Sequence, residues 1–223
     1  ESAQESKEIL LFLHPADSIK ALDKILDKRK DAIRIVNEMF PAGLFMELSG
    51  LCQHENILTI LSALEELTKI GYRICPKDYL NGFADVCKLT GLMGRWQKLG
   101  EKPTIICDTG HNTGGMQYIT EQLRHQTYKT LHIVIGMVND KDVSGVLSML
   151  PKDARYYFTQ ASVKRALPYQ QMKALAETFN LHGEAYPHVK EAFEAAKEQA
   201  QPDDFIFVGG SSFIVADLLS LNN

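Results

Sequence analysis

From residue 104 onward, short apolar runs alternate with amphipathic stretches of helical length, and no other feature of the sequence restricts the fold as much. Strands are expected at 104–108, 131–136, 155–159, 183–186 and 205–209, and helices at 114–125, 143–150, 168–179, 189–199 and 212–221. Strands that alternate with helices in this way form right-handed βαβ units, which stack into one sheet covered on both faces. The expected fold is therefore α/β: a Rossmann-like, mainly parallel sheet with helices on both sides.

The residues upstream are less regular. The run 7–14 (KEILLFLH) reads as a strand ended by Pro15, and Ile19, Leu22, Ile25 and Leu26 then recur at helical spacing up to Pro41. A further short strand is expected at 43–48. Ile57, Ile60, Leu61, Leu64 and Leu67 form one apolar stripe opposite Glu65, Glu66 and Lys69, so a helix runs from Gln53 to Gly71 with Asn56 in its first turn. One short amphipathic helix is expected within 76–92, and 94–99 can pair with the strand at 104. The change in pattern places a domain boundary near 99–103, between an irregular part over 1–99 and an α/β domain over 100–223.

Composition narrows the function classes. A chain of 223 residues with 45% hydrophobic content buries a substantial core, and a net charge of -4 argues against a nucleic-acid partner. The densest basic run, 24–30, is broken by Asp27 and reads as a solvated helix face. Cys52, Cys75, Cys87 and Cys107 lack zinc-site spacing and read as reduced thiols in a cytoplasm. No apolar run reaches the roughly 18–20 residues of a membrane span, and the opening ESAQESKE has no signal-peptide character. Because Glu1 stands where an initiator methionine would, the sequence reads as starting inside a longer protein.

Chemistry concentrates where strands end. Asp108, His111 and Asn112 occupy the first strand-to-helix turn, with Gly110, Gly114 and Gly115 around them. An acid at a strand end and an imidazole three residues on can face one ligand while small residues let backbone approach it. The alternative is that Asp108 caps the next helix and His111 fills a turn. Arg95 offers a guanidinium suited to phosphate, although such a residue is commonly a surface one. Lys141, between Asp140 and Asp142, follows the second strand and can neutralise a phosphate or carboxylate, unless it is an exposed loop residue beside a capping Asp142. Ser211, after Gly209 and Gly210, suits an anion or serves as an N-cap. Ser162, Lys164 and Arg165 face the same edge as poorer candidates, His182 and His188 read as loop or cap residues, and Trp96 as interdomain packing. The dinucleotide fingerprint G-x-G-x-x-G is absent here, which counts against a nicotinamide or flavin enzyme.

Taken in order, Gln53-His54-Glu55-Asn56, Ala63-Leu64, Gly94-Arg95, Asp108-Thr109-Gly110-His111-Asn112, Gly136-Met137, Asp140-Lys141-Asp142 and Gly210-Ser211 resemble the folylpolyglutamate and dihydrofolate synthases of the Mur ligase superfamily. The resemblance runs from about Gly43 to the C-terminus, and implies that 1–99 is a partial α/β remnant and 100–223 a complete α/β domain. It implies an ATP- and Mg2+-dependent carbon-nitrogen ligase that joins L-glutamate to dihydropteroate or folate through an acyl phosphate. It also implies that Asn56, Arg95, Asp108 and His111 contact the nucleotide, that Asp108, His111 and Lys141 serve catalysis, and that Ser211 and His111 hold glutamate. Gly110 and Thr113 depart from the small residue and proline common around this histidine. No G-x-x-x-x-G-K-S/T occurs, so the phosphate cradle and the Mg2+ ligands are expected in an ATPase region upstream of Glu1, without which the chain would be inactive. A stand-alone nucleotide- or metabolite-binding module is the rival reading.

Overall fold

The computed structural model describes residues 11–12, 44–139 and 141–222. The helix expected between Ile19 and Pro41, and Asp140, lie outside them. Two compact units divide between Met93 and Gly94.

In the first unit, β1 (Leu11–Phe12) pairs in parallel with β2 (Leu44–Phe45). Helix α1 (Gln53–Lys69) turns Ile57, Leu58 and Leu61 toward Leu44, Met46, Tyr79 and Phe83. The spacing of three and four residues from Leu58 and Ile57 to Leu61 is what puts these side chains on one face. The single helix expected within 76–92 is instead two, α2 (Pro76–Ala84) and α3 (Val86–Thr90). Glu47 explains the break. Its backbone N–H donates to the Phe83 carbonyl, and its carboxylate accepts from the Cys87 N–H, so both ends of the helical bond that would bridge Asp85 are engaged elsewhere.

The second unit holds the sheet. Its elements are β3 (Gln97–Glu101), β4 (Thr104–Cys107), α4 (Thr113–Arg124), β5 (Leu131–Ile135), α5 (Val143–Met149), β6 (Arg155–Phe158), α6 (Tyr169–Glu177), β7 (Gly183–Ala185), α7 (Val189–Gln199), β8 (Phe205–Gly209) and α8 (Ser212–Leu219). The strand order is β3-β4-β8-β5-β6-β7. All pairings are parallel except the β3–β4 hairpin. That hairpin ties residues 97–101 to this sheet, which is why the units divide ahead of 99–103.

Side chains alternate across the strands. Ile106, Ile133, Ile135, Tyr156, Phe158, Phe205 and Phe207 pack against Met116, Ile119 and Leu123 of α4, Val146 and Leu147 of α5 and Met172 and Ala176 of α6. Cys107, Val134, Tyr157, Ile206 and Val208 lie on the other face, under Ala192, Phe193 and Ala196 of α7 and Ile214, Val215 and Leu218 of α8. Strands β5 and β8 are buried at every position, as expected for central strands covered on both sides. Among the described residues, no helix is long and apolar enough to cross a membrane.

Candidate functional site at the carboxyl edge of the sheet

Three loops leave the sheet side by side because β8 lies between β4 and β5. The loops after β4 and β5 turn toward α4 and α5 on one face, and the loop after β8 turns toward α8 on the other. Neighbouring connections that depart to opposite faces open a crevice at the carboxyl ends of the strands. The backbone is close there. The Asp108 N–H donates to the Val208 carbonyl (3.1 Å), and the Gly136 N–H to the Gly209 carbonyl (3.4 Å).

Gly210 makes this approach possible. Its φ of +89° lies in the region L side chains rarely adopt. A Cβ there would sit 2.7 Å from Ile135 Cγ1 and 2.9 Å from the Gly136 carbonyl oxygen. Gly210→Ala is expected to cost roughly 2–4 kcal/mol, from left-handed backbone strain and overpacking together. A denaturant titration with an unchanged m-value would register it as a shift in midpoint.

Asp108 organises the first loop. Oδ2 accepts the Trp96 N–H (2.7 Å) and Oδ1 accepts the Gly110 N–H (2.7 Å). The Thr109 N–H donates to the Gly94 carbonyl (2.9 Å), joining the residues around Arg95 to the turn after β4. Trp96 has φ +47°, a costly conformation for a bulky residue. The carboxylate on its N–H holds it there, as does its indole, whose centroid lies 6.4 Å from that of Phe205 and 6.2 Å from that of Phe207. Trp96 therefore packs inside the core of the second unit, where the sequence suggested packing between domains. Burial pushes the Asp108 carboxyl above its usual range, against the two N–H bonds and the charge of Arg95, which favour ionisation. Arg95 is exposed, and its charge acts on Asp108, so the guanidinium and the carboxylate share one neighbourhood.

His111 is half-buried, and its Nδ1 lies 3.0 Å from the Thr109 carbonyl. A carbonyl only accepts, so Nδ1 carries the proton and Nε2 is left to meet a ligand. Asn112, not Asp108, caps α4: its Oδ1 accepts the Gly115 N–H (2.8 Å).

The remaining candidates are placed as follows. Lys141 is exposed, and Asp142 beside it caps α5 by accepting the Gly145 N–H (2.8 Å). Ser211 is 2% exposed, and its hydroxyl oxygen accepts the Phe213 N–H (3.1 Å) as the N-cap of α8. Its O–H is then what it has left to offer. Asn56 belongs to the first unit, where its amide donates to Gln53 Oε1 (3.0 Å) in the first turn of α1. His182 and His188 are exposed at a loop and at the N-cap of α7, as the sequence suggested.

Arg165 is better placed than its sequence context indicated. Its guanidinium carbon lies 4.9 Å from the centroid of Phe213, in the first turn of α8. Its carbonyl accepts the Asn139 N–H (3.0 Å), and the Leu167 N–H donates to the Met137 carbonyl (2.9 Å), so the loops after β5 and β6 are stitched together. Nothing local in the sequence marks this, because it depends on pairing across two loops. Among the described residues no three His, Cys, Asp or Glu side chains gather as a metal site.

A mostly parallel six-stranded sheet with helices on both faces, whose strands β4, β5 and β8 end side by side in glycine-containing turns, defines an α/β domain with the edge at which such sheets bind ligands. Residues 94–212 match the Mur ligase, glutamate ligase domain, and the chain belongs to that family. The probable bifunctional folylpolyglutamate synthase/dihydropteroate synthase of Haloferax volcanii is 30% identical over 125 residues, covering 56% of this chain and 15% of that protein. The dihydrofolate synthase/folylpolyglutamate synthase of Escherichia coli is 28% identical over 163 residues, covering 72% of this chain and 36% of that protein. The structure of E. coli FolC in complex with DHPP and ADP superposes with a TM-score of 0.63 at 25% identity, covering 74% of this chain and 38% of that one. The chain thus spans well under half the length of these relatives.

Proposed function

We propose that this chain is the C-terminal part of an ATP-dependent ligase that adds L-glutamate to dihydropteroate or folate through an acyl phosphate. The observation that carries the reading is the turn 94–112, in which one carboxylate fixes the backbone at both Trp96 and Gly110 and so holds Arg95 and His111 at one strand end. The family match over this segment, the names of the relatives and the ADP in the E. coli complex support it.

ATP supplies the phosphoryl group that turns the substrate carboxylate into a reactive acyl donor. The residues of this chain have separate tasks. Arg95 binds phosphate oxygens, while Asp108 positions it by bracing the backbone on either side. His111, with Nδ1–H held by Thr109, presents the Nε2 lone pair to the proton of the incoming amine. Lys141 adds positive charge, and the Ser211 O–H with the N-terminus of α8 receives a glutamate carboxylate. Arg165, over Phe213 at that same helix start, provides a second carboxylate contact. Residues 1–93 are assigned to the last part of the ATPase domain, and Mg2+ and the phosphate cradle to the region upstream.

Steady-state kinetics of the full-length ligase test this. Arg165→Ala should raise the KM for glutamate by about 10–100-fold, the worth of a charged hydrogen bond, with kcat nearly kept. An unchanged KM would remove Arg165 from the glutamate site. The isolated chain is expected to show no phosphate release dependent on ATP, dihydropteroate and glutamate, and only weak ATP binding by calorimetry. Tight ATP binding would favour a stand-alone nucleotide-binding module.

A further inference from the structure

At the opposite, amino edge of the sheet, a buried polar chain takes no part in the site above. His132, at the start of β5, is 0% exposed. Its Nδ1 lies 2.9 Å from the Tyr157 hydroxyl, which in turn lies 2.9 Å from Gln199 Oε1 at the end of α7. Its Nε2 lies 3.4 Å from Oδ2 of Asp204, which also accepts the Gln201 N–H (2.8 Å) just ahead of β8. The His132 and Tyr157 rings stack with centroids 5.8 Å apart. Four segments that are distant in sequence (β5, β6, α7 and the turn into β8) are thus joined through one imidazole.

The protons in this chain can be arranged in two ways. With Tyr157 donating to Gln199 Oε1, its oxygen is free to accept from His132 Nδ1–H. Nε2 then faces a carboxylate oxygen and needs a proton too, so the imidazole is charged. With the Gln199 amide turned over, its NH2 donates to Tyr157, Tyr157 donates to Nδ1, and Nε2–H alone serves Asp204. That arrangement holds one proton fewer and keeps the imidazole neutral. We propose that His132, Tyr157, Gln199 and Asp204 form a one-proton latch, which loads in acid by reversing the direction of its hydrogen bonds and thereby weakens the seam between β5 and β8.

The surroundings decide which form prevails. Burial lowers the pKa of His132, and Arg155, at the start of β6, adds to this, while the hydrogen bond and charge of Asp204 oppose it. For Asp204, burial works upward, but bonds from Gln201, His132 and Thr130 outweigh it and hold the carboxyl below its usual range. Tyr186 stacks on Tyr157 with centroids 6.2 Å apart, with Glu184, Glu198 and Lys173 acting on it. Burial sets the direction for His132, so the neutral wiring is the form at neutral pH. A histidine with a lowered folded pKa is protonated more readily when unfolded, so its contribution to stability is complete above about 6.5 and declines as pH falls below that value.

The test is a nitrogen-15 NMR titration of the histidine-labelled whole chain between pH 5 and 8, following His132 and the Tyr157 Cζ resonance. The expected result is an Nε2–H tautomer at pH 7.5, a midpoint below about 6.5 and a Tyr157 shift with that same midpoint, as its hydroxyl reverses. An Nδ1–H tautomer at pH 7.5, a midpoint at or above about 6.5, or a Tyr157 resonance that does not follow His132 would each overturn the latch. Asp204→Asn, which removes the favourable charge, should lower the midpoint by about one unit or more, and an unmoved midpoint would also count against it. The wild-type titration decides the matter even where that variant fails to fold.

Discussion

Asp108→Ala is expected to lower the melting temperature by on the order of 5–10 °C. The substitution leaves the Trp96 and Gly110 N–H groups without their acceptor. Each bond to a charged carboxylate is worth about 1.5–3 kcal/mol, and relief of the buried charge offsets part of the sum, leaving roughly 2–3 kcal/mol. Each kcal/mol moves the melting point of a chain this size by about 2–4 °C. Relaxation of Trp96 from φ +47° once its N–H is released offsets a further part of the loss. Asp108→Asn keeps an oxygen for one of the two donors and should lose about half as much. Scanning calorimetry of the pair separates the effects. A melting point for the alanine variant within about 1 °C of wild type would mean that the carboxylate does not brace this turn.

His111→Ala should reduce kcat of the full-length ligase by about 10²–10⁴-fold while leaving the melting point close to wild type. The kinetic effect follows from Nε2, which the contact of Nδ1 with the Thr109 carbonyl leaves as the ring atom for ligand. The structural effect is small because the ring is half-buried and makes one local hydrogen bond. His111→Gln can reproduce a hydrogen-bond acceptor but not proton transfer. Partial rescue of the KM for ATP without rescue of kcat would mark proton transfer as the role of the imidazole, and full rescue of kcat would reduce that role to hydrogen bonding. If kcat of the alanine variant falls less than about threefold, His111 is not at the reacting centre.

Much of this was legible in the residues because local pattern and global fold agree. The apolar run Phe205–Gly209, and Leu131–Ile135, apolar but for His132, read as central strands once helices of matching length flank them, and both are buried throughout. The small-residue turns after β4, β5 and β8 were equally readable, since strand-end glycines followed by capping residues have few other uses. Other features depended on long-range partners. The break between α2 and α3 comes from Glu47, far upstream, and no local residue announces it. The bracing role of Asp108 needs Trp96 in a left-handed conformation, which no propensity scale anticipates. Arg165 gains its position from a bridge between Val138 and Ala166 that only the folded loops reveal.

The position of β8 sets the order in which this domain can be completed. Cys107 aligns with Val208, and Val134 aligns with the same residue from the other side, so the strand that arrives last in sequence is the keystone between two halves. Removing the residues from Phe205 onward would leave β3–β4 and β5–β6–β7 as separate pieces with no shared ladder. Such contacts close large loops before they gain anything, which slows folding and leaves two raw sheet edges exposed to other chains meanwhile. A nascent chain paused ahead of this strand is accordingly a point of aggregation risk, and one that a chaperone would have to cover.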